Sequence, residues 1–314
     1  MKRRSAMVFG AVGGASALAV ACGLDLTGVA SVRSESDAGG DVSRPPPTTT
    51  TEPEAGVEPR CDGGLCPPEV VLALPATELV RAVTVDGPFL YYVNATSKKV
   101  FRVNAADGSE PREMVSEEVR QLAVRGDVLF YTYPQGIRRM TLTTHDAVGG
   151  GEGVVGCLDI DKDGSFVYVA DFAKNRIMRL PFAAGGTAAA LFESEDGVQR
   201  PWGVAVTATD VFFTLSGGPP GELRRRPLTP STTPPLTLAR DRENPNCMVI
   251  DEAGRVYWPN NRSGTLERID ADGRNVVTLA AGQGKGDGAT FTQLGIDARF
   301  IYWSADNEIR RLAR

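Results

Sequence analysis

Between Pro67 and the C-terminus the chain repeats one arrangement six times: an apolar run, a tight turn, an aromatic step, and then an apolar residue, any residue and an arginine. The aromatic steps begin at Tyr91, Phe130, Tyr168, Phe212, Tyr257 and Tyr302. The arginines that close each copy are Arg102, Arg139, Arg179, Arg225, Arg268 and Arg311. A unit this short cannot bury its own apolar face. Successive copies must stack on one another to make a core.

Copy five divides into four strands: Met248 to Asp251, Val256 to Trp258, Leu266 to Ile269 and Val276 to Leu279. Asp272-Gly273 is a hairpin turn signal between the last two, as Asp107-Gly108 is in copy one. Copy six has only three strands, Leu294 to Asp297, Phe300 to Trp303 and Ile309 to Leu312, before the chain stops at Arg314. Residues 69–74 are a spare strand with no copy of their own, and their sequence is like that of an outer strand. Placing them at the edge of the last copy completes it and covers a bare edge. The expectation is an all-β fold, a six-bladed β-propeller of four-stranded antiparallel blades over 67–314, closed by its N-terminal strand.

Ahead of the repeats, Lys2, Arg3 and Arg4 precede an apolar run, Ala6 to Ala21, that is shorter than the ~20 residues a spanning helix needs. Residues 1–21 read as an export signal. Leu18-Ala19-Val20-Ala21-Cys22 resembles a bacterial lipobox, which implies lipidation at Cys22. Residues 22–66, with Arg44-Pro45-Pro46-Pro47 and four threonines, bury too little apolar surface to fold and read as an extended tether. An exported, lipid-anchored protein of the bacterial envelope, periplasmic or surface-facing, is expected, with the membrane reached through the anchor alone.

Export permits disulfides. Cys61 and Cys66 flank a flexible stretch and are expected to bond. Cys157 and Cys247 hold equivalent positions in copies three and five, which are not neighbours in a ring. A regular hexagon puts such positions beyond the ~7 Å Cα limit for a disulfide, so both are expected to be buried free thiols.

Tyr257-Trp258-Pro259-Asn260 followed by Leu266-Glu267-Arg268-Ile269-Asp270 resembles the YWTD repeat of lipoprotein-receptor propellers, and Tyr302-Trp303-Ser304-Ala305 is similar. Copy three, from Asp161-Lys162-Asp163-Gly164 through Tyr168-Val169-Ala170-Asp171, is similar to an NHL repeat. The whole resembles propeller lipoproteins of bacterial envelopes. The fourth-position aspartate of the repeat is kept as Asp171. Asn94 and Asn260 replace it with another polar group, while Leu215 and Ala305 depart from it. Such folds host many activities, so the resemblance speaks to fold.

The net charge of −5 and the lack of a basic patch interleaved with aromatics disfavour nucleic-acid binding. One arginine per blade suggests that the six serve packing between blades rather than an anion-binding girdle. Trp258 and Trp303 read as packing residues. Asp159-Ile160-Asp161-Lys162-Asp163-Gly164 matches the opening of a calcium loop. However, Ala170 stands where an EF-hand needs its bidentate glutamate, so the stretch reads as an aspartate-rich turn. His145, the only histidine, lies in a turn with no nucleophile motif beside it. No catalytic residue, metal ligand or cofactor is assigned.

The links on one face of such a ring include long ones, Ser216 to Glu222, Arg240 to Asn246 and Ala280 to Thr292, while those on the other face are mostly tight, the one after Arg225 being longer. The long-link face is expected to carry recognition. Its candidates are Trp202, Asn246, Asn260, Asp171, Phe172, Asn94, Tyr133 and Asp306, and the partner an envelope protein, peptide or glycan. A gluconolactonase-like metal-dependent hydrolase, with Asp159, Asp171 and Asn246 as oxygen ligands in the channel, is the second expectation. A purely structural envelope component is the third.

Overall fold

The computed structural model describes residues 67–141, 145–148, 156–193, 197–216, 220–229, 233–284 and 291–314. Cys22, Cys61 and Cys66, and the glycines at 149–151, lie outside the described residues. The first strand, β1 (Glu69–Ala73), precedes the repeats. Blade one is β2 (Val80–Asp86), β3 (Phe89–Asn94), β4 (Lys99–Asn104) and β5 (Arg112–Ser116), and blade two is β6 (Gln121–Arg125), β7 (Val128–Tyr133), β8 (Gly136–Met140) and β9 (His145–Val148). Blade three is β10 (Leu158–Ile160), β11 (Phe166–Asp171), β12 (Arg176–Pro181) and β13 (Ala189–Phe192). Blade four is β14 (Pro201–Val206), β15 (Asp210–Leu215), β16 (Gly221–Pro227) and β17 (Leu236–Arg242). Blade five is β18 (Val249–Ile250), β19 (Val256–Asn260), β20 (Thr265–Ile269) and β21 (Val277–Ala280), and blade six takes β22 (Leu294–Ile296), β23 (Phe300–Ala305) and β24 (Glu308–Ala313).

Each blade is a four-stranded antiparallel sheet, and the sixth runs β1-β24-β23-β22. The spare N-terminal strand therefore closes the ring as its sequence suggested. Glu69 registers with Arg311 and Ala73 with Glu308, and the Arg311 guanidinium donates to the Glu69 carboxylate at 2.9 Å.

The two sequence series are cross-strand partners. Tyr91 registers with Arg102, Phe130 with Arg139, Tyr168 with Arg179, Phe212 with Arg225, Tyr257 with Arg268 and Tyr302 with Arg311. The guanidinium then reaches out of its own sheet. Arg311 donates to the Ala106 carbonyl of blade one, Arg139 to Phe182 of blade three and Arg225 to Ala271 of blade five. Those three carbonyls sit at the same place, just past the third strand of the next blade. Arg102, Arg179 and Arg311 also lie over the rings of Phe89, Phe166 and Phe300 at 3.9, 4.4 and 4.4 Å. The cation–π contacts fix the arginine within its own blade, and the hydrogen bonds tie that blade to the next.

The core lies between blades. Trp258 and Trp303 are fully buried, each within an apolar cluster spanning two neighbouring blades. The inner strands β2, β6, β10, β14, β18 and β22 surround the central channel. The entry face is the one where these strands begin; the exit face is the one where they end.

Candidate functional site

The entry mouth is bridged twice. Cys157, just before β10, and Cys247, two residues before β18, form a disulfide with a Cα–Cα distance of 5.5 Å across 90 residues of sequence. This corrects the free-thiol expectation. The strand starts are not the corners of a regular hexagon, because blades three and five converge over blade four. Gly156 and Gly203 make the approach possible. An added Cβ at Gly156 would collide with the Trp202 carbonyl, and one at Gly203 with the Asn246 carbonyl and the Thr214 hydroxyl. In the space left free, the Cys157 N–H donates to the Trp202 carbonyl at 2.7 Å, and the Thr214 hydroxyl donates to the Asn246 carbonyl at 3.3 Å.

The second bridge lies opposite. Gln293 of blade six accepts from the Leu122 N–H at 3.2 Å and donates its amide to the Leu122 carbonyl of blade two, passing over blade one. The Thr292 and Ser304 hydroxyls donate to the Arg81 carbonyl at 2.6 and 3.1 Å. Both bridges are buried: Cys157, Cys247 and Gln293 are 1, 3 and 5% exposed.

The eight residues expected on the recognition face divide sharply. Asn94, Asp171, Asn246 and Asn260 are buried, contrary to the exposed role expected of them, because the turns beside them consume their polar groups. The Asn94 side-chain oxygen accepts from the N–H groups of Thr96 and Ser97, and its amide donates to Glu78. The Asp171 carboxylate accepts from the Lys174 N–H and from Arg176 at 2.9 Å. Asn260 accepts from the Trp258 indole at 3.2 Å and donates to the Thr265 hydroxyl, while Asn246 donates to the Asn244 carbonyl. A polar residue at the end of the second strand is a turn cap here, as Asx side chains often are.

Phe172, Trp202, Tyr133 and Asp306 remain half-buried. Asp306 occupies the β23–β24 turn with a positive φ of 56°, and its carbonyl accepts from the Val80 N–H at 2.8 Å. Arg138 lies over the Tyr133 ring at 4.5 Å. Phe172 of blade three and Trp202 of blade four meet edge to face, with ring centroids 5.5 Å apart, and the exposed Arg200 covers Phe172 at 4.8 Å. The Trp202 indole N–H is enclosed and has no hydrogen-bond partner.

Near the exit face the channel opens into a well of about 330 Å³. Its wall includes Thr84, Asp86, Arg125, Asp159, Val249 and Ile296. Asp159 is an aspartate in an otherwise apolar three-residue inner strand. Burial pushes its carboxyl up to about 7, although the N–H groups of Val206 and Ile160 pull the other way.

The oxygen ligands expected of a lactonase-like centre are not brought together. Asp159 registers with Tyr168, so Asp171 lies three residues, or ~10 Å, further along the sheet. Asn246 precedes the well residue Val249 by three positions, and its amide is held by Asn244. The calcium-loop stretch is a turn in which Asp161 accepts from the N–H groups of Ser165 and Phe166. No group of three histidine, cysteine or carboxylate side chains suited to a metal ion occurs among the described residues.

The architecture defines a six-bladed β-propeller with four-stranded blades and an N-terminal closing strand. No protein-family model matches the chain, nor does any curated relative. Solved structures agree on the fold. A virginiamycin B lyase from Staphylococcus aureus is similar with a TM-score of 0.55 at 12% identity, covering 75% of this chain and 80% of that one. A chain of a nidogen/laminin complex is similar with a TM-score of 0.56 at 14% identity, covering 76% and 93%. A regucalcin from Agrobacterium tumefaciens, described as a calcium-binding protein, is similar with a TM-score of 0.57 at 15% identity, covering 79% and 93%. At these identities the likeness is one of fold.

Proposed function

We propose that this propeller is a non-catalytic recognition module of the bacterial envelope. It is held by a lipid at Cys22, and its entry face binds an envelope protein, peptide or glycan. The observation that carries the reading is the aromatic pair Phe172 and Trp202, joined across two blades and half-exposed beside Arg200. Aromatic rings beside an arginine offer stacking area and charged hydrogen bonds to a ligand's polar groups, the combination that dominates recognition surfaces. Phe172 follows the end of a second strand and Trp202 lies at the start of an inner strand, so a rigid frame positions both.

The Cys157–Cys247 disulfide supports export, because such bonds persist in oxidising compartments. The long Pro/Thr-rich tether supports presentation of the ring away from a membrane.

The test is site-specific photo-crosslinking on intact cells. A photoreactive side chain at Phe172 is expected to form a discrete adduct that Trp202→Ala abolishes. The same group at Asp107, in an exposed turn on the exit face, is expected to form none. Equal labelling from both positions, or none from Phe172, contradicts the reading. Replacing Cys22 with serine is expected to release the protein from membranes; retained acyl chains would contradict the anchor.

A further inference from the structure

The exit-face well is a second, separate place where this chain is built to hold something. Inner strands of blades one, two, three, five and six line it. Blade four contributes no lining residue, and the Asp159 side chain explains why. Its Oδ2 accepts from the Val206 N–H of blade four at 2.9 Å, so the carboxylate lies against that strand and takes its sector of the wall. Oδ1 accepts from the Ile160 N–H at 2.9 Å. Each oxygen keeps an acceptor site after these single bonds.

The other charges near the well do not neutralise Asp159. Arg125 turns away, donating to the carbonyls of Asp161 and Lys162. Asp86 accepts from the Gly126 N–H at 2.9 Å and adds a second carboxylate to the wall. Asp161, just beyond β10, raises the cost of charge at Asp159 further. The strands β14, β18 and β22 bring only apolar side chains, glycine and backbone to this level. The result is a pocket of mixed lining, in which the carboxylates of Asp159 and Asp86 stand near the apolar side chains of Val249 and Ile296.

We propose that this well binds a small organic cation, a primary ammonium on a short aliphatic stem, with Asp159 receiving the ammonium and Val249 and Ile296 covering the stem. A volume of about 330 Å³ is at the small end of ligand pockets, which limits the stem to a few carbons. Ca²⁺ takes six to eight oxygen ligands in one shell, and the two carboxylates here stand on different strands with backbone bonds of their own. The inference is independent of the recognition face, which lies at the other mouth.

The probe is n-pentylammonium, followed by isothermal titration calorimetry on the whole folded protein. It stays charged throughout the range, so the pH response reports the protein. The cation favours ionised Asp159. Binding is therefore full above pH 7 and weakens below it, by roughly 30-fold at 1.5 pH units below the carboxyl's midpoint. Proton release near pH 7, seen as a dependence on buffer ionisation heat, is expected as well. Asp159→Asn abolishes binding, and 1-pentanol, which lacks the charge, binds much more weakly. If that variant does not fold, the wild-type Asp159 carboxyl followed by ¹³C NMR must titrate at lower pH when the amine is added. No binding at millimolar amine, equal binding of the alcohol, a pH-independent affinity, an unmoved titration, or Ca²⁺ binding in place of the amine overturns the proposal.

Discussion

Cys157 and Cys247 belong to blades that are not neighbours, yet their sulfurs are bonded over the start of blade four. The bond and the Gln293–Leu122 bridge are parallel chords across one mouth of the ring, spanning blades four and one. Both bridges are buried and cross the entry mouth, while the well is lined by residues nearer the other end of the inner strands.

Removing the disulfide relaxes a 90-residue loop in the unfolded chain. Loss of a disulfide of this kind typically costs about 2–5 kcal/mol. Cys157→Ala with Cys247→Ala is expected to fall in that range by urea unfolding, with a raised m-value, because the unlinked unfolded chain exposes more surface. Stability equal to wild type would mean that the bond constrains nothing.

Asp159 gives a pH dependence whose sign is fixed by its shift. Its folded carboxyl is raised to about 7, above the ordinary ~3.9 of an aspartate. The folded state therefore holds its proton longer than the unfolded chain. The stability this contributes is full below pH ~3.9 and is lost as pH rises through 7. Asp159→Asn removes the charge, so its melting temperature should exceed wild type at pH 8 and converge with it toward pH 4. Calorimetric scans at both values check this; a gap that widens toward low pH would contradict the assignment.

Arg311 covers Phe300, donates to Glu69 and reaches the Ala106 carbonyl, so one side chain joins the closing strand, blade six and blade one. Arg311→Ala is expected to destabilise by about 1–3 kcal/mol, the scale of a cation–π contact plus a charged hydrogen bond. Arg311→Lys should restore only part of this, because an ammonium lacks the planar fork. Full rescue by lysine, measured by thermal unfolding, would show that charge alone matters.

Deleting residues 69–73 leaves β24 as a bare edge. The shortened chain is expected to unfold at lower denaturant and to associate through that edge. Sedimentation showing a monomer of undiminished stability would contradict closure by this strand.

The ring was legible in the sequence because its repeat is strict. The aromatic steps and arginines fall in register in all six blades, and the missing last strand is supplied by residues 69–73. The site was less so. Asn94, Asp171 and Asn260 look like exposed ligands when only their position at a strand end is known. In three dimensions the following turn turns its N–H groups or hydroxyl toward them, and they become caps. The disulfide was hidden because spacing around an ideal ring says nothing of how glycines at 156 and 203 let neighbouring entry segments close in. Asp159 carried one signal, an acidic residue within an apolar inner strand. Its contact with Val206, 47 residues away, needed the ring to be assembled first.

The link between blades three and five is the most direct test of this geometry. Protein isolated from an oxidising compartment would be alkylated before reduction, digested and mapped by mass spectrometry. One linked peptide pair containing Cys157 and Cys247 is expected, with neither residue alkylated. Recovery of both as alkylated thiols, or either joined to another cysteine, would contradict the cross-linked entry mouth.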